Sequence, residues 1–215
     1  MLRLIRRNKL FFLAFTLLGL LLRGYFLHWH FLFEGDSLVY GDLAKNWVLH
    51  GIYGITDDGS VMPVNIRMPG YPAFLAVSFR LFGLEHYAAV VRAQLVIDLL
   101  TCFLIAAGAR RLWPDGAKIA FALAALCPFT ANYAATPLPE TLSIFAAAVA
   151  LLFGVRAIQT MRKASSWDVA HSFAIGDWCL CGIGIALSIY LRPDGGLLLV
   201  AIAAYLLWLG IRQRE

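Results

Sequence analysis

Two carboxylates and two guanidiniums stand at the edges of otherwise apolar sequence: Asp36, Glu140, Arg67 and Arg192. Asp36 lies in Glu34-Gly35-Asp36-Ser37-Leu38-Val39-Tyr40, and Arg67 opens Arg67-Met68-Pro69-Gly70-Tyr71-Pro72, both within one polar stretch. Glu140 follows Thr136-Pro137-Leu138-Pro139, and Arg192 begins Arg192-Pro193-Asp194. Two acids that converge on one cavity can divide the work of general acid and base, or hold a divalent cation. Arginines beside them suit an anionic phosphate, which a guanidinium grips through two parallel hydrogen bonds. Each residue also has a plainer reading. Asp is a preferred helix N-cap. Glu140 and Pro139 both suit a first helical turn. Arg192 and Arg67 suit contacts with lipid headgroups.

Arg23 and Asp98 fall inside apolar runs. A charge at the bilayer centre costs about 2.5–3.5 kcal/mol on insertion scales, so such residues need a partner or a purpose. Two readings stand side by side: an ion pair between the first and second spans, or separately hydrogen-bonded polar groups, on the one hand, and a polar pocket for a phosphate headgroup on the other. His28 and His30 are two apart and point to different faces of a helix, which argues against a shared metal site. Cys102, Cys127, Cys179 and Cys181 all fall in or near apolar segments and read as packing residues rather than a disulfide or zinc framework. The chain has no Gly-x-Ser-x-Gly, Walker, His-Glu-x-x-His or Cys-x-x-Cys motif.

The elements that must position these groups are membrane helices. Hydrophobic residues make up 61% of the chain and charged residues 14%, against about 25% charge in soluble domains. The fold class is therefore all-α, a polytopic bundle of about six transmembrane helices forming a single membrane domain over 1–215. Spans of roughly 20 residues are expected at Leu10–Phe33, Tyr87–Ala109, Ala117–Ala135, Pro139–Val155, Phe173–Leu191 and Gly195–Ile211, with Pro128 kinking the third. The first run is too long for a signal peptide and no small-x-small site follows it, so it reads as a retained helix.

An outer loop, 34–85, is expected to carry two helices. One is amphipathic, from about Ser37 to Leu49, with Val39, Leu43 and Trp47, and Tyr40 and Ala44 adjacent, as its apolar stripe and Asp42, Lys45 and Asn46 largely on the other side. The other, Tyr71–Leu84, is too short to span and reads as re-entrant or interfacial. Between them, Asp57-Asp58-Gly59 signals a turn in an ordered, turn-rich connector. The net charge of +5 sets topology and does not call for nucleic acid. Arg3, Arg6, Arg7 and Lys9, then Arg110, Arg111 and Lys118, then Arg156, Arg162 and Lys163, then Arg212 and Arg214, all fall at one end of the spans. The positive-inside rule makes that end, and both termini, cytoplasmic.

Four features together resemble the amino-terminal part of the GT-C class of integral membrane glycosyltransferases, in particular the bacterial relatives of protein O-mannosyltransferases and of lipid A aminoarabinose transferases. The first is Asp36-Ser37-Leu38-Val39-Tyr40, with Leu43-Ala44-Lys45-Asn46 and Gly51-Ile52-Tyr53. The second, and most specific, is Arg67-Met68-Pro69-Gly70-Tyr71-Pro72-Ala73-Phe74-Leu75-Ala76. The third is Arg92-Ala93-Gln94 with Asp98; the fourth runs from Pro128 through Asn132-Tyr133 to Pro139-Glu140-Thr141.

The resemblance implies transfer of a sugar from a polyprenyl-phosphate donor to a hydroxyl of a glycan, lipid or protein acceptor, at the outer face of the cytoplasmic membrane. It implies that Asp36 is the catalytic carboxylate and that Glu140 is the second acid, orienting the acceptor or binding a divalent ion. Arg67 and Arg192 would stabilise the leaving phosphate, with Tyr40, Tyr71 and Arg23 also binding substrate. Metal dependence varies among such enzymes, so no metal site is assigned and no cofactor is certain. Members are usually far longer, which adds a further expected partner beside membrane lipids: a second chain supplying the C-terminal half. The alternative is a non-catalytic membrane subunit or lipid-binding scaffold. A transporter fits less well, because no internal repeat is visible.

Overall fold

The structure, a computed structural model, describes residues 1–30, 33, 35–163 and 167–212, with side chains left out of account over 163–173. Glu34 and Arg214, and the side chain of Lys163, therefore lie outside the described residues. The chain is helical nearly throughout. After a short basic helix α1 (Leu2–Arg7), α2 (Lys9–Trp29), α5 (Tyr87–Leu112), α8 (Glu140–Lys163), α9 (Trp167–Leu191) and α10 (Gly196–Arg212) are the long apolar helices. Between α5 and α8 run α6 (Ala117–Ala125) and α7 (Pro128–Ala134), and the region between α2 and α5 carries α3 (Asp36–His50) and α4 (Gly70–Phe82). Five described helices are long and apolar enough to cross a membrane, and the segments 114–125 and 128–134, bent by 52°, make a sixth if taken as one span. This is a multi-pass membrane protein.

The bend has a local cause. Pro128 has no N–H to continue the helical ladder, so hydrogen bonding breaks between α6 and α7. The breach is closed from α2. Arg23, fully buried, donates from Nη1 to the Ala125 carbonyl at 2.7 Å and to the Gly19 carbonyl at 2.9 Å. Its Nε meets Asp98 Oδ2 of α5 at 2.6 Å. The ion-pair reading of Arg23 and Asp98 therefore holds. The expectation that Arg23 binds substrate is corrected: its guanidinium is saturated by protein groups and sealed from solvent.

The apolar core divides into layers. Phe12, Cys102, Ala106, Phe121 and Ala125 join α2, α5 and α6. Ala150, Cys181 and Ile185 join α8 and α9. These two helices approach closely at Gly184, where a Cβ would lie 2.7 Å from the Ala150 nitrogen and 2.8 Å from the Ala146 carbonyl oxygen. Small residues at such a contact let backbones pack where lipid supplies no hydrophobic drive. A third cluster, Tyr40, Ala44, Tyr71, Leu75, Phe79, Val90, Ala146 and Leu191, ties α3 and α4 onto α5, α8 and α9.

The region between α2 and α5 departs from expectation in two ways. The connector after α3 is an antiparallel hairpin, β1 (Gly54–Asp57) with β2 (Ser60–Pro63), in register Gly54↔Pro63 to Asp57↔Ser60. Asp58 and Gly59, both at positive φ, form its turn. Asn46, expected on the solvent side of α3, is buried: its amide donates to the Gly54 carbonyl at 3.0 Å and to Thr56 Oγ1 at 3.1 Å. Asp42 Oδ2 accepts from the Thr56 backbone N–H at 2.5 Å. Polar residues of α3 thus serve as the hairpin's anchor. The buried face of the helix runs through Ser37, Tyr40, Gly41, Leu43 and Ala44, so the expected stripe holds at Tyr40, Leu43 and Ala44, with Val39 and Trp47 half-buried at its edge.

Candidate active site

Five of the residues singled out above line one cavity of about 460 Å³: Asp36, Tyr40, Arg67, Glu140 and Arg192. They come from four separate places in the chain. Asp36 is the first residue of α3, after Gly35 at φ 54°. Its side chain makes no cap hydrogen bond, so the N-cap reading does not hold. Instead Asp36 Oδ1 accepts from Arg67 Nη2 at 2.5 Å. Arg67 lies on the strand-to-helix connector before α4, and Tyr53 fixes that connector by donating from its hydroxyl to the Arg67 carbonyl at 2.9 Å. Tyr53 is held in turn edge-on against Trp47, ring centroids 5.4 Å apart.

On the facing wall, Glu140 is the first residue of α8 and Oε1 accepts from Arg192 Nη1. Arg192, at the end of α9, also donates from Nε to Asp194 Oδ1 at 3.0 Å. The two walls meet at Gly70. A Cβ there would sit 2.5 Å from the Tyr190 carbonyl oxygen and 3.0 Å from the Leu191 nitrogen. Only glycine lets the Arg67–Pro72 turn press against the last residues before Arg192. Asn65, Ile66, Met68, Leu138, Pro139, Leu191 and Pro193 complete the lining.

Tyr40 forms the floor between the walls. Its ring lies 6.0 Å from the Arg67 guanidinium and edge-on to Tyr71 at 5.2 Å. Burial pushes its phenol above the ordinary tyrosine value, and the four charges around it work in opposition: Arg67 and Arg192 lower it, Asp36 and Glu140 raise it. Hydrogen bonding to Asp36 raises the Arg67 pKa, and hydrogen bonding to Asp194 raises that of Arg192, so both stay cationic.

Tyr71 is not at the site. Fully buried, it donates to Gln94 Oε1 at 2.6 Å, and burial holds its phenol well above the usual range. The expectation that Tyr71 binds substrate is corrected: it is a structural residue behind the cavity. Gln94 passes the connection on, donating from Nε2 to the Thr136 carbonyl at 2.7 Å. Thr136 begins the short segment that delivers Glu140. Sequence reasoning quoted Gln94 within a motif but gave it no role. The available signal was an amide with both ends to satisfy inside an apolar span.

Four buried polar atoms near the site have no hydrogen-bond partner among the described residues: Arg67 Nε, Glu140 Oε2, Ser37 Oγ and Thr141 Oγ1. Two of these belong to cavity-lining side chains, and the other two follow Asp36 and Glu140 in sequence. Among the described residues, no group of three or more His, Cys, Asp and Glu side chains converges as a metal set would.

A polytopic helical membrane protein with an acid- and arginine-lined cavity at one end of its bundle is the class that this geometry defines. Comparison with family models narrows it. The family described as dolichyl-phosphate-mannose-protein mannosyltransferase matches residues 66–215, well over half of the chain. The protein belongs to that family, of GT-C glycosyltransferases. Arg67, Glu140 and Arg192 lie within the matched residues; Asp36 and Tyr40 precede them. Neither the curated proteins nor the solved structures give a match.

Proposed function

We propose that the protein transfers a sugar from a polyprenyl-phosphate donor to an acceptor hydroxyl, at the extracytoplasmic face of the cytoplasmic membrane. The observation that carries this reading is the single cavity on which Asp36, Glu140, Arg67 and Arg192 converge over the Tyr40 ring. Family membership supports the polyprenyl-phosphate sugar as donor class. The crowding of Lys and Arg toward the opposite end of the bundle supports the orientation.

The chemistry follows from which groups are available. A sugar hydroxyl is a weak nucleophile, so the Asp36 carboxylate takes its proton as the oxygen attacks C1. The C1–O bond to phosphate breaks, and the lipid phosphate departs with the electron pair. That departing charge needs cations in place rather than a proton, which suits Arg67 and Arg192. Arg67 Nε has no protein partner to release before it meets phosphate oxygen. Glu140, with Oε2 likewise open, orients the acceptor through its hydroxyls.

The test is sugar transfer by the purified full chain in nanodiscs. Labelled polyprenyl-phosphate sugars would be the donors and an envelope-glycan extract the acceptor, with Asp36→Asn alongside. Transfer that the variant loses by at least about 100-fold, the usual contribution of a general base, supports the assignment. Equal transfer by both proteins refutes the role of Asp36. Donor binding without transfer by either one points to a non-catalytic subunit.

A further inference from the structure

The other end of the bundle carries a second charged cavity, of about 430 Å³, lined by Met1, Ala107, Arg110, Arg111, Leu152 and Arg156. Arg110 and Arg111 occupy the last turn of α5, about 35 Å along that helix from its start at Tyr87 at 1.5 Å per residue. Arg156 lies about 24 Å along α8 from Glu140 by the same measure. The cavity therefore sits near the opposite interface of a bilayer whose hydrocarbon core is about 30 Å thick.

Its charge is unbalanced. Arg156 pairs with Asp177 of α9 at 3.2 Å. Arg110 and Arg111 have no ionic partner among the described residues. Arg111 is nonetheless held in place, donating from Nη1 to Gln159 Oε1 at 3.3 Å. Gln159 Nε2 donates back to the Arg111 carbonyl at 2.9 Å. Three guanidiniums thus face a concave space over one carboxylate, above the apolar side chains of Ala107 and Leu152. Arginines placed only for topology would spread into water. Here they are gathered on a pocket between two helices, with an apolar floor and a charged rim.

We infer that this cavity binds the phosphate headgroup of an anionic membrane lipid, with the glycerol and first acyl carbons resting on Ala107 and Leu152. Paired arginines grip phosphate oxygens bidentately, and basic pockets between membrane helices on the cytoplasmic side suit such headgroups. The inference does not depend on the sugar-transfer reading, and its test does not use activity.

The full chain in non-ionic detergent would be titrated with phosphatidylglycerol or phosphatidylcholine and read by native mass spectrometry. Phosphatidylglycerol should bind about 30-fold more tightly than its zwitterionic counterpart, the effect of two cations near one anionic headgroup. R110Q/R111Q should abolish that preference. Arg6→Gln with Arg7→Gln, which removes equal charge from α1 outside the cavity, should preserve it. Ala107→Leu keeps every charge, keeps a good helix former in place and fills the pocket, so it should weaken binding while the protein stays folded. Equal affinity for both lipids, equal loss in both arginine pairs, or binding unaffected by A107L would overturn the inference. So would displacement of the lipid by millimolar inorganic phosphate, which would mark a site for free anions.

Discussion

Replacing Arg23 by Met removes the cation at the centre of the bundle and leaves Asp98 buried without its partner. Four interactions go at once: the ion pair to Asp98, the hydrogen bonds to the Ala125 and Gly19 carbonyls, and a weaker one to Cys102 Sγ at 3.6 Å. Breaking a buried pair by deleting one member costs about 3–5 kcal/mol, because the survivor is an uncompensated charge. An independent route gives the same scale. Asp98 can escape by taking a proton, and neutralising a carboxylate of ordinary pKa at pH 7 costs about 4 kcal/mol. The Gly19 carbonyl remains within its own helix, but the Ala125 carbonyl stands at the break before Pro128, so losing its donor adds about 1–3 kcal/mol. Unfolding in mixed micelles, titrated with SDS and extrapolated linearly, measures the sum. R23M should cost at least about 3 kcal/mol. R23M/D98N, which removes the stranded charge, should recover about 2 kcal/mol or more while keeping the carbonyl's share of the loss. An R23M cost under about 1 kcal/mol, or a double variant no more stable than R23M, would refute the account.

Further outcomes follow from the site. Gly70→Ala drives a Cβ into the Tyr190 backbone and should destabilise by about 1–3 kcal/mol, with weakened donor binding, read by the same SDS titration and a donor-binding assay. Tyr71→Phe strands Gln94 Oε1 and should cost about 1–3 kcal/mol, lowering transfer only through the placement of Glu140; an unchanged unfolding midpoint would contradict that. Arg192→Lys keeps the charge but loses the fork shared between Glu140 and Asp194, so KM for the donor should rise more than kcat falls. Tyr40 has its folded pKa raised by burial, so it favours the fold fully below about pH 10, and this share fades as pH climbs through the higher folded value. Difference absorbance near 295 nm, about the phenolate band, should show one late-titrating phenol missing in Tyr40→Phe; loss of a phenol titrating at or below about pH 10 would contradict it.

The membrane helices were legible because span length and apolar composition are properties of a segment alone. The start of α5 at Tyr87 and the end of α9 at Leu191 fall where the sequence placed them, and Pro128 marks the bend as expected. What required tertiary information was read less well. The hairpin has strands of four residues with little alternation, so only its turn was visible. Asn46 looked solvent-facing because the partner that buries it lies on that hairpin. Tyr71 and Arg23 were assigned to substrate because aromatic and cationic side chains suit sugar and phosphate. Which face of a helix points inward is decided by Gln94 and Asp98, from another helix. Two long-range features were legible: the pairing of Arg23 with Asp98, because a lone charge inside a span is costly, and the placing of Asp36 and Glu140 at one end of the bundle, where Arg67 and Arg192 join them in one cavity.

The ion pair between Glu140 and Arg192 also sets an order of assembly. A chain emerging from its amino terminus presents Asp36 and Arg67 first, and they can pair as soon as α3 and the hairpin form. Glu140 follows at the head of α8, but its counter-ion arrives only after α9 has threaded back across the bilayer. Until then an acid waits at the membrane edge with its neutralising charge still unmade. Closing that pair joins the head of α8 to the end of α9, so the cavity is complete only once α9 is in place. A chain stalled before the end of α9 would hold half of the cavity lining and leave Glu140 without Arg192.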